Sequence, residues 1–397
     1  MNASVPAPRA LGLAVAAAQL MLALSWTVYV VFLPALAAQA GLPPSLVLWL
    51  LVVDQIVFMM ADYASGVASD RVLALHARLG PMLAAATAVS AAAFVALPWL
   101  APQGSPVLFI AVTLLWTATS AALRAPPLNL IGRHAMRPAQ PAMVALAMLG
   151  LGLAAALAPW LALVLKGQDP RLPFVLASVG VVLAALALAA AERAAPSQPR
   201  PADATRSRPA LPQAPVLLAA ALLAALAFQL HASVNAAAQY RRFVPAGALP
   251  LWLPVFWAAF NLALWPAMKL APRWGELRLV AAAAVLAATA AGVAMLAPSV
   301  AVLAAAQAVA GVAWAGVMAG GFMAALALGH VGREGRFSGA VSSSLAGATA
   351  LRIALVASGG AVLLREGGAL WADSLPVLLW AAAALLLGFV CHQRRSG

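Results

Sequence analysis

The sequence predicts an all-α polytopic membrane protein: twelve transmembrane helices arranged as two six-helix bundles. Three observations lead there. Of the 397 residues, 65% are hydrophobic and only 8% are charged, whereas soluble domains carry about 25% charged residues. The mean hydropathy is +0.98. A spanning helix takes about 20 apolar residues, so twelve need roughly 240, well within this chain. The 23 basic and 10 acidic side chains cannot coat a soluble fold of this length. A water-soluble enzyme, a disordered chain and a secreted disulfide protein are excluded on the same ground. The single cysteine, Cys391, permits no disulfide framework or thiolate cage.

Twelve apolar runs follow one another. The first six cover 10–37, 45–68, 79–100, 106–130, 142–165 and 173–191. The second six cover 214–238, 249–270, 277–297, 300–328, 339–364 and 374–391. The first run is too long for the apolar region of a cleaved signal and has the length of a spanning helix. Between the two sets lies the longest polar stretch, whose Pro196, Pro199, Arg200, Pro201, Arg206, Arg208 and Pro209 read as a flexible linker. The expected division is an N-terminal bundle over 1–191, a cytoplasmic linker over 192–213 and a C-terminal bundle over 214–397.

Basic residues set the orientation. With the N-terminus inside, Lys166, Arg171, Arg241, Arg242 and Arg365 fall in outer loops and Arg124 and Arg352 fall within spans. The remaining sixteen of the 23 Lys and Arg lie on the side of the termini. Cytoplasmic loops carry such an excess. The expected location is therefore the plasma (inner) membrane, multi-pass, with both termini cytoplasmic, and the +13 net charge needs no nucleic-acid partner.

The runs also differ by position in each group of three. Runs 3, 6, 9 and 12 have no charge or amide in their interiors. Run 1 carries Gln19, Trp26 and Tyr29; run 4 carries Trp116, Ser120 and Arg124; run 7 carries His231, Asn235 and Gln239; run 10 carries Gln307, Trp314 and Met318. Within each run the spacing is 3, 4 or 7, which places them on one helical face. A polar face in lipid is costly, so it must line a cavity or meet protein. Nested three-helix repeats around a central cavity produce this periodicity.

With that layout, the segment after run 2 decides the resemblance: Gly66-Val67-Ala68-Ser69-Asp70-Arg71, followed by His76 and Arg78. The chain resembles the major facilitator superfamily, whose signature loop between helices 2 and 3 has Gly, three residues, Asp and then Arg or Lys. The second glycine of that pattern is displaced here, since position 73 is Leu. The related loop between helices 8 and 9 keeps Arg273 and Gly275, with Pro272 in place of the acidic residue. The resemblance implies that Gly66 permits close helix approach. It also implies that Asp70 and Arg71 form a latch with the start of helix 11, closing the cytoplasmic side.

Four charged residues lie inside runs, Asp54 and Asp62 in run 2, Arg124 in run 4 and Arg352 in run 11, and His231 in run 7 is a fifth ionisable side chain. Each costs about 2.5–3.5 kcal/mol if left unpaired at mid-membrane. Asp54 and Arg352 both lie near mid-span, and helices 2 and 11 face each other in the resembling fold. An Asp54–Arg352 pair that opens and closes in transport is expected, with Asp54 carrying a proton when the pair is broken. Asp62 and Arg124 lie toward the cytoplasmic end of one bundle and form a second expected pair; a static role in helix register is the alternative. The substrate-binding candidates are Gln19, Trp26, Tyr29, Trp116, Ser120, His231, Asn235, Asn261, Gln307 and Trp314. For the tryptophans the alternative is interface anchoring, and for the amides an interhelical hydrogen bond.

The resemblance implies a secondary active transporter of a small organic solute, proton-coupled, working by rocking of two bundles. A multidrug-type proton antiporter is the alternative. A polytopic membrane enzyme stands behind it, without the catalytic cluster or sizeable polar domain it would need. The buried excess of basic over acidic groups favours an anionic cargo. No P-loop sequence is present, which excludes an ATP-driven pump for this chain alone. No cofactor and no metal site is expected; the expected partners are the solute, protons and lipid, and the expected state is a monomer.

Overall fold

The computed structural model describes residues 9–76, 78–195, 213–329, 332–366 and 368–396. Among them there is no strand, and twelve helices are long and apolar enough to cross a membrane. We number them α1 (Arg9–Gln39), α2 (Pro44–His76), α3 (Gly80–Gln103), α4 (Pro106–His134), α5 (Gln140–Leu165), α6 (Arg171–Ala194), α7 (Ala214–Tyr240), α8 (Ala246–Trp274), α9 (Glu276–Leu296), α10 (Val300–Gly329), α11 (Glu334–Ala357) and α12 (Leu370–His392). Helix is forced by the solvent: in hydrocarbon each backbone N–H and C=O needs a partner, and a helix supplies it within the segment. The protein is a multi-pass membrane protein with an all-α, twelve-helix fold.

Helix ends have local causes. Pro44 and Pro106 open α2 and α4, positions where the missing N–H would have no partner anyway. The Ser105 hydroxyl accepts from the Leu108 amide at 3.4 Å, a weak N-cap. At the end of α7, Arg242 donates to the carbonyls of Met295 (3.1 Å), Ala294 (3.1 Å) and Gln239 (3.2 Å). It thereby caps the carbonyl end of α9, where a cation is favoured.

Three boundaries differ from the sequence expectation. The polar linker was expected to begin at 192, but α6 continues to Ala194. Glu192 is buried, and its two carboxylate oxygens accept from the amides of Leu79 and Gly80, each at 2.6 Å. A carboxylate on the amino end of α3 is a favourable cap, so Glu192 belongs to the bundle. The linker residues Pro196, Pro199, Arg200, Pro201, Arg206, Arg208 and Pro209 lie outside the described residues. Run 11, expected at 339–364, spans Glu334–Ala357 and stops at Ser358 and Gly359. Gly359 has φ +75°, a left-handed turn natural to glycine, and a separate short helix follows over Gly360–Glu366. Finally, α4 is not one rod. It runs to Ser120, tightens into a 3₁₀ turn over Ala121–Leu123, and restarts as Pro126–His134, because Pro126 and Pro127 cannot continue the ladder.

The helices pair the same way in both halves. α1 packs on α5 and α3 on α6; correspondingly α7 packs on α11 and α9 on α12. The two bundles meet along two seams, α2 with α11 and α5 with α8, which are themselves equivalent under the same exchange of halves. Small residues make the seams tight. A Cβ on Gly66 would meet the Gly335 carbonyl, and one on Gly152 would meet Asn261 and Phe260.

Candidate functional site

A cavity of about 540 Å³ lies between the bundles. Its lining comes from α1, α4, α7 and α10, as the periodicity predicts, and also from α2, α5, α8 and α11. None of its lining residues comes from α3, α6, α9 or α12. Lining extends to Tyr240, the last residue of α7, and to Leu253, near the start of α8. The cavity therefore reaches toward the end of the molecule away from the chain termini.

At the end that carries the termini the bundles are fastened. Asp70 accepts from the backbone amides of Gly335 and Arg336 at the start of α11, each at 2.8 Å. Asn129, buried on the restarted part of α4, donates from one amide nitrogen to Asp70 (2.9 Å) and to the Ser69 hydroxyl (2.9 Å). Higher on the same seam the Ser343 hydroxyl donates to the Met59 carbonyl at 2.6 Å. Gly66 and Gly335 allow the backbones to touch. Arg71 is exposed and in no ion pair among the described residues. Asp70 uses backbone donors and an amide in place of a basic side chain. Arg273 is likewise exposed, and Gly275, at φ +85°, turns the chain from α8 into α9 with nothing within 4 Å of where its Cβ would sit. Among the described residues the second loop makes no matching fastening.

Among the described residues, two arginines and no carboxylate line the cavity. Arg124 on α4 meets Asp62 at 3.2 Å, with Asp62 fully buried and the Arg124 side chain 25% exposed; this pair was legible in the sequence. The guanidinium also lies over the Phe58 ring, 4.3 Å from its centroid, a favourable cation–π geometry. The break in α4 at Ala121–Ala125 lets Arg124 turn down to Asp62. Gln19 braces that break, donating to the carbonyls of Leu123 (3.0 Å) and Arg124 (3.1 Å).

The expected Asp54–Arg352 pair is not formed in this conformation. Asp54 is fully buried behind the cavity wall, where it accepts from the Tyr29 hydroxyl at 2.7 Å and the Thr117 hydroxyl at 3.0 Å. Depth along a span is readable from sequence; the direction in which a side chain leaves its helix is less so. Arg352, on the other bundle, donates from Nε to the Gln229 side-chain oxygen at 3.3 Å. Gln229 in turn donates to Thr349 (2.8 Å) and accepts from Ser233 (3.3 Å).

Of the expected substrate contacts, Gln19, Trp26, Trp116, Gln307 and Trp314 line the cavity. Tyr29, Ser120, His231, Asn235 and Asn261 do not. Tyr29 is committed to Asp54, and Ser120 donates to the Thr117 carbonyl at 3.0 Å within its own helix. His231 packs against Trp380 of α12, ring centroids 5.3 Å apart. Asn235 donates to the Ala372 carbonyl at 2.9 Å, and Asn261 lies against Gly152 in the α5–α8 seam. The α7 stripe 231, 235, 239 is real but turns toward protein: Gln239 accepts from Gln307 at 3.4 Å. A π-helical stretch over Gln229–Asn235, wider than α-helix and common at functional sites, presents Gln229 and Ser233 to the cavity instead. Missed in the sequence were Gln229, Gln55 and the apolar walls Phe58 and Phe228. Also missed were Ser342, Leu345 and Thr349, which share a face of α11 with Arg352 at spacings of 3 or 4, the signal that could have found them.

Aromatic rings wall the cavity on both sides. Trp26 and Trp116 lie with centroids 6.1 Å apart and planes 15° from parallel. Opposite, Phe228 and Trp314 stack at 4.3 Å and 4°.

The sequence profile of the Major Facilitator Superfamily matches residues 15–352. The chain belongs to the Major Facilitator Superfamily. Superfamily proteins are transporters rather than enzymes. No curated protein sequence matches the chain. Among solved superfamily structures, the human organic anion transporter MFSD10 (TETRAN) is similar at a TM-score of 0.77 and 15% identity, covering 96% of this chain and 100% of that chain. The proton:xylose symporter XylE, bound to 6-bromo-6-deoxy-D-glucose, matches at 0.70 and 12% identity over 96% of this chain and 95% of that chain. A bacterial homologue of the iron transporter ferroportin, in an outward-facing state with soaked iron, matches at 0.69 and 15% identity over 97% and 99%. At these identities the likeness carries the superfamily fold and no more.

Proposed function

We propose that the protein is a secondary active transporter that moves a small organic solute across the plasma (inner) membrane by alternating access, coupled to protons. The observation that carries this is the inter-bundle cavity, lined from both halves and fastened at one end by Asp70 on the amino end of α11. With both termini cytoplasmic, the fastened end faces the cytoplasm and the cavity faces outward. Asp70 with Gly66 then acts as the latch of that stage, and rocking of residues 1–191 against 214–397 opens the opposite stage. Asp54 is the proton carrier: a buried carboxylate with only hydroxyl donors beside it, in contrast to Asp62, which sits against a guanidinium. The neighbours' cargoes include organic anions, xylose carried with protons and, for the ferroportin homologue, iron; the cationic lining here favours an anion.

The test is solute-dependent proton flux in proteoliposomes, read by a trapped pH-sensitive dye across a panel of organic acids, sugars and drug-like amines. Wild-type protein gives proton movement with at least one class. Asp54→Asn abolishes gradient-driven accumulation of that solute and spares its exchange. Undiminished accumulation in the variant refutes the role of Asp54; proton flux with no member of the panel refutes proton coupling.

A further inference from the structure

Building on the transport reading above, we infer that the cavity selects an organic monoanion: its carboxylate is held by the guanidinium fork of Arg352, and its aromatic or apolar body lies between the tryptophan walls. The charge on the lining comes first. Arg124 and Arg352 line the cavity, and Arg124 is offset by Asp62 at 3.2 Å. Among the described residues no carboxylate lies within ion-pair distance of Arg352. One uncompensated positive charge therefore faces a largely apolar space, and one negative charge on a ligand completes it. A cationic cargo would find no carboxylate on the wall, since Asp54 and Asp62 are both buried behind it.

The guanidinium is also pre-positioned. Arg352 spends its Nε on Gln229, and Gln229 cannot swing away because Thr349 takes its amide nitrogen and Ser233 shares its oxygen. The Thr349 hydroxyl is itself anchored, donating to the Leu345 carbonyl at 3.0 Å. This leaves the two Nη groups, which carry four of the five guanidinium donors and match the two oxygens of a carboxylate. Fixing the fork before the ligand arrives removes part of the ordering cost of binding. The stacked pair Phe228–Trp314 and the facing Trp26–Trp116 pair supply flat surfaces for a ring. A cavity of about 540 Å³ has room for a bicyclic acid.

The test uses three near-isosteres: 1-naphthoate, neutral 1-naphthamide and cationic 1-naphthylmethylamine. Binding to the full chain in detergent is read by quenching of intrinsic tryptophan fluorescence, since tryptophans line the cavity. Expected is saturable quenching by naphthoate, at least tenfold tighter than by the amide, with the amine weakest. In Arg352→Gln the acid and the amide bind within threefold of each other; Arg352→Lys keeps the sign of the preference and loses part of its size. Equal binding of acid and amide to the wild type, tighter binding of the amine, no saturable quenching by naphthoate, or an acid preference unchanged in Arg352→Gln overturns the inference. The first three outcomes need no variant to fold. Naphthoate counterflow in proteoliposomes separates the two readings: selective binding without counterflow overturns transport and leaves the carboxylate site standing. Counterflow of the amide or amine without acid preference does the reverse.

Discussion

Two arginines face one cavity, and the difference between them organises the molecule. Arg124, in the N-terminal bundle, has a buried carboxylate beside it, an aromatic ring beneath it and a glutamine bracing its backbone. Arg352, in the C-terminal bundle, has a hydrogen-bonded amide and no carboxylate. The first is charge-balanced by the protein and acts as structure. The second is held in place with no carboxylate partner among the described residues, the feature on which the inferred carboxylate site rests. Removing one partner of a buried pair exposes the other to an environment that cannot solvate it; removing a charge that was never paired leaves no such orphan.

The largest effect should come from breaking the balanced pair. Arg124→Gln strands the Asp62 carboxylate and is expected to lower stability by about 3 kcal/mol, the low end for a buried pair because Arg124 is partly exposed. The double variant Arg124→Gln, Asp62→Asn should recover most of that loss, as measured by thermal unfolding in detergent. A double variant no more stable than the single would show that the pair is not the source. The next effect sharpens the contrast through α4, whose restarted segment Pro126–His134 ties the Arg124 side of the cavity to the fastened seam by way of Asn129. Asp70→Ala removes two charge-assisted backbone hydrogen bonds at a half-buried seam. It should raise labelling of a Ser342→Cys probe (Cys391→Ser background) by an impermeant thiol reagent applied from the termini side. Unchanged labelling would mean that the seam is held by packing alone. The smallest effect belongs to the unbalanced arginine: Arg352→Gln should stay within about 1 kcal/mol of the parent in thermal unfolding, although it changes what binds. A loss as large as that of Arg124→Gln would erase the distinction between the two residues.

How much of this was readable in the sequence depends on what each feature rests on. The twelve spans rest on transfer free energy, which composition reports directly, so only breakpoints moved. α4 broke where Pro126 and Pro127 deny it a ladder, and α11 ended at Ala357 because Gly359, two residues on, can take a left-handed turn. Asp62–Arg124 was legible because it follows from helix order and depth, and the Asp70 fastening because the segment from Gly66 to Arg71 resembles the superfamily's signature loop. Asp54–Arg352 was not, because azimuth around a helix is set by packing: Asp54 found Tyr29 and Thr117 on its own bundle, nearer than the other half. His231 and Asn235 misled for a related reason. A polar stripe shows that a helix face needs partners and does not say whether they are solute or protein, and here α12 supplies them. The π-helical register that brings Gln229 and Ser233 inward leaves no mark in a 3.6-residue pattern.

The contact between Gly66 and Gly335 leaves no room for a single carbon atom on either side. α2 has 33 residues and is therefore about 50 Å long at 1.5 Å per residue, and Gly66 sits in its last third. A methyl group placed there would act as a shim near one end of a long arm, prying the ends apart at the seam and swinging the distant tip inward. The absence of two side chains thus lets the arm lean this closely, and alanine at either position is expected to disfavour this posture.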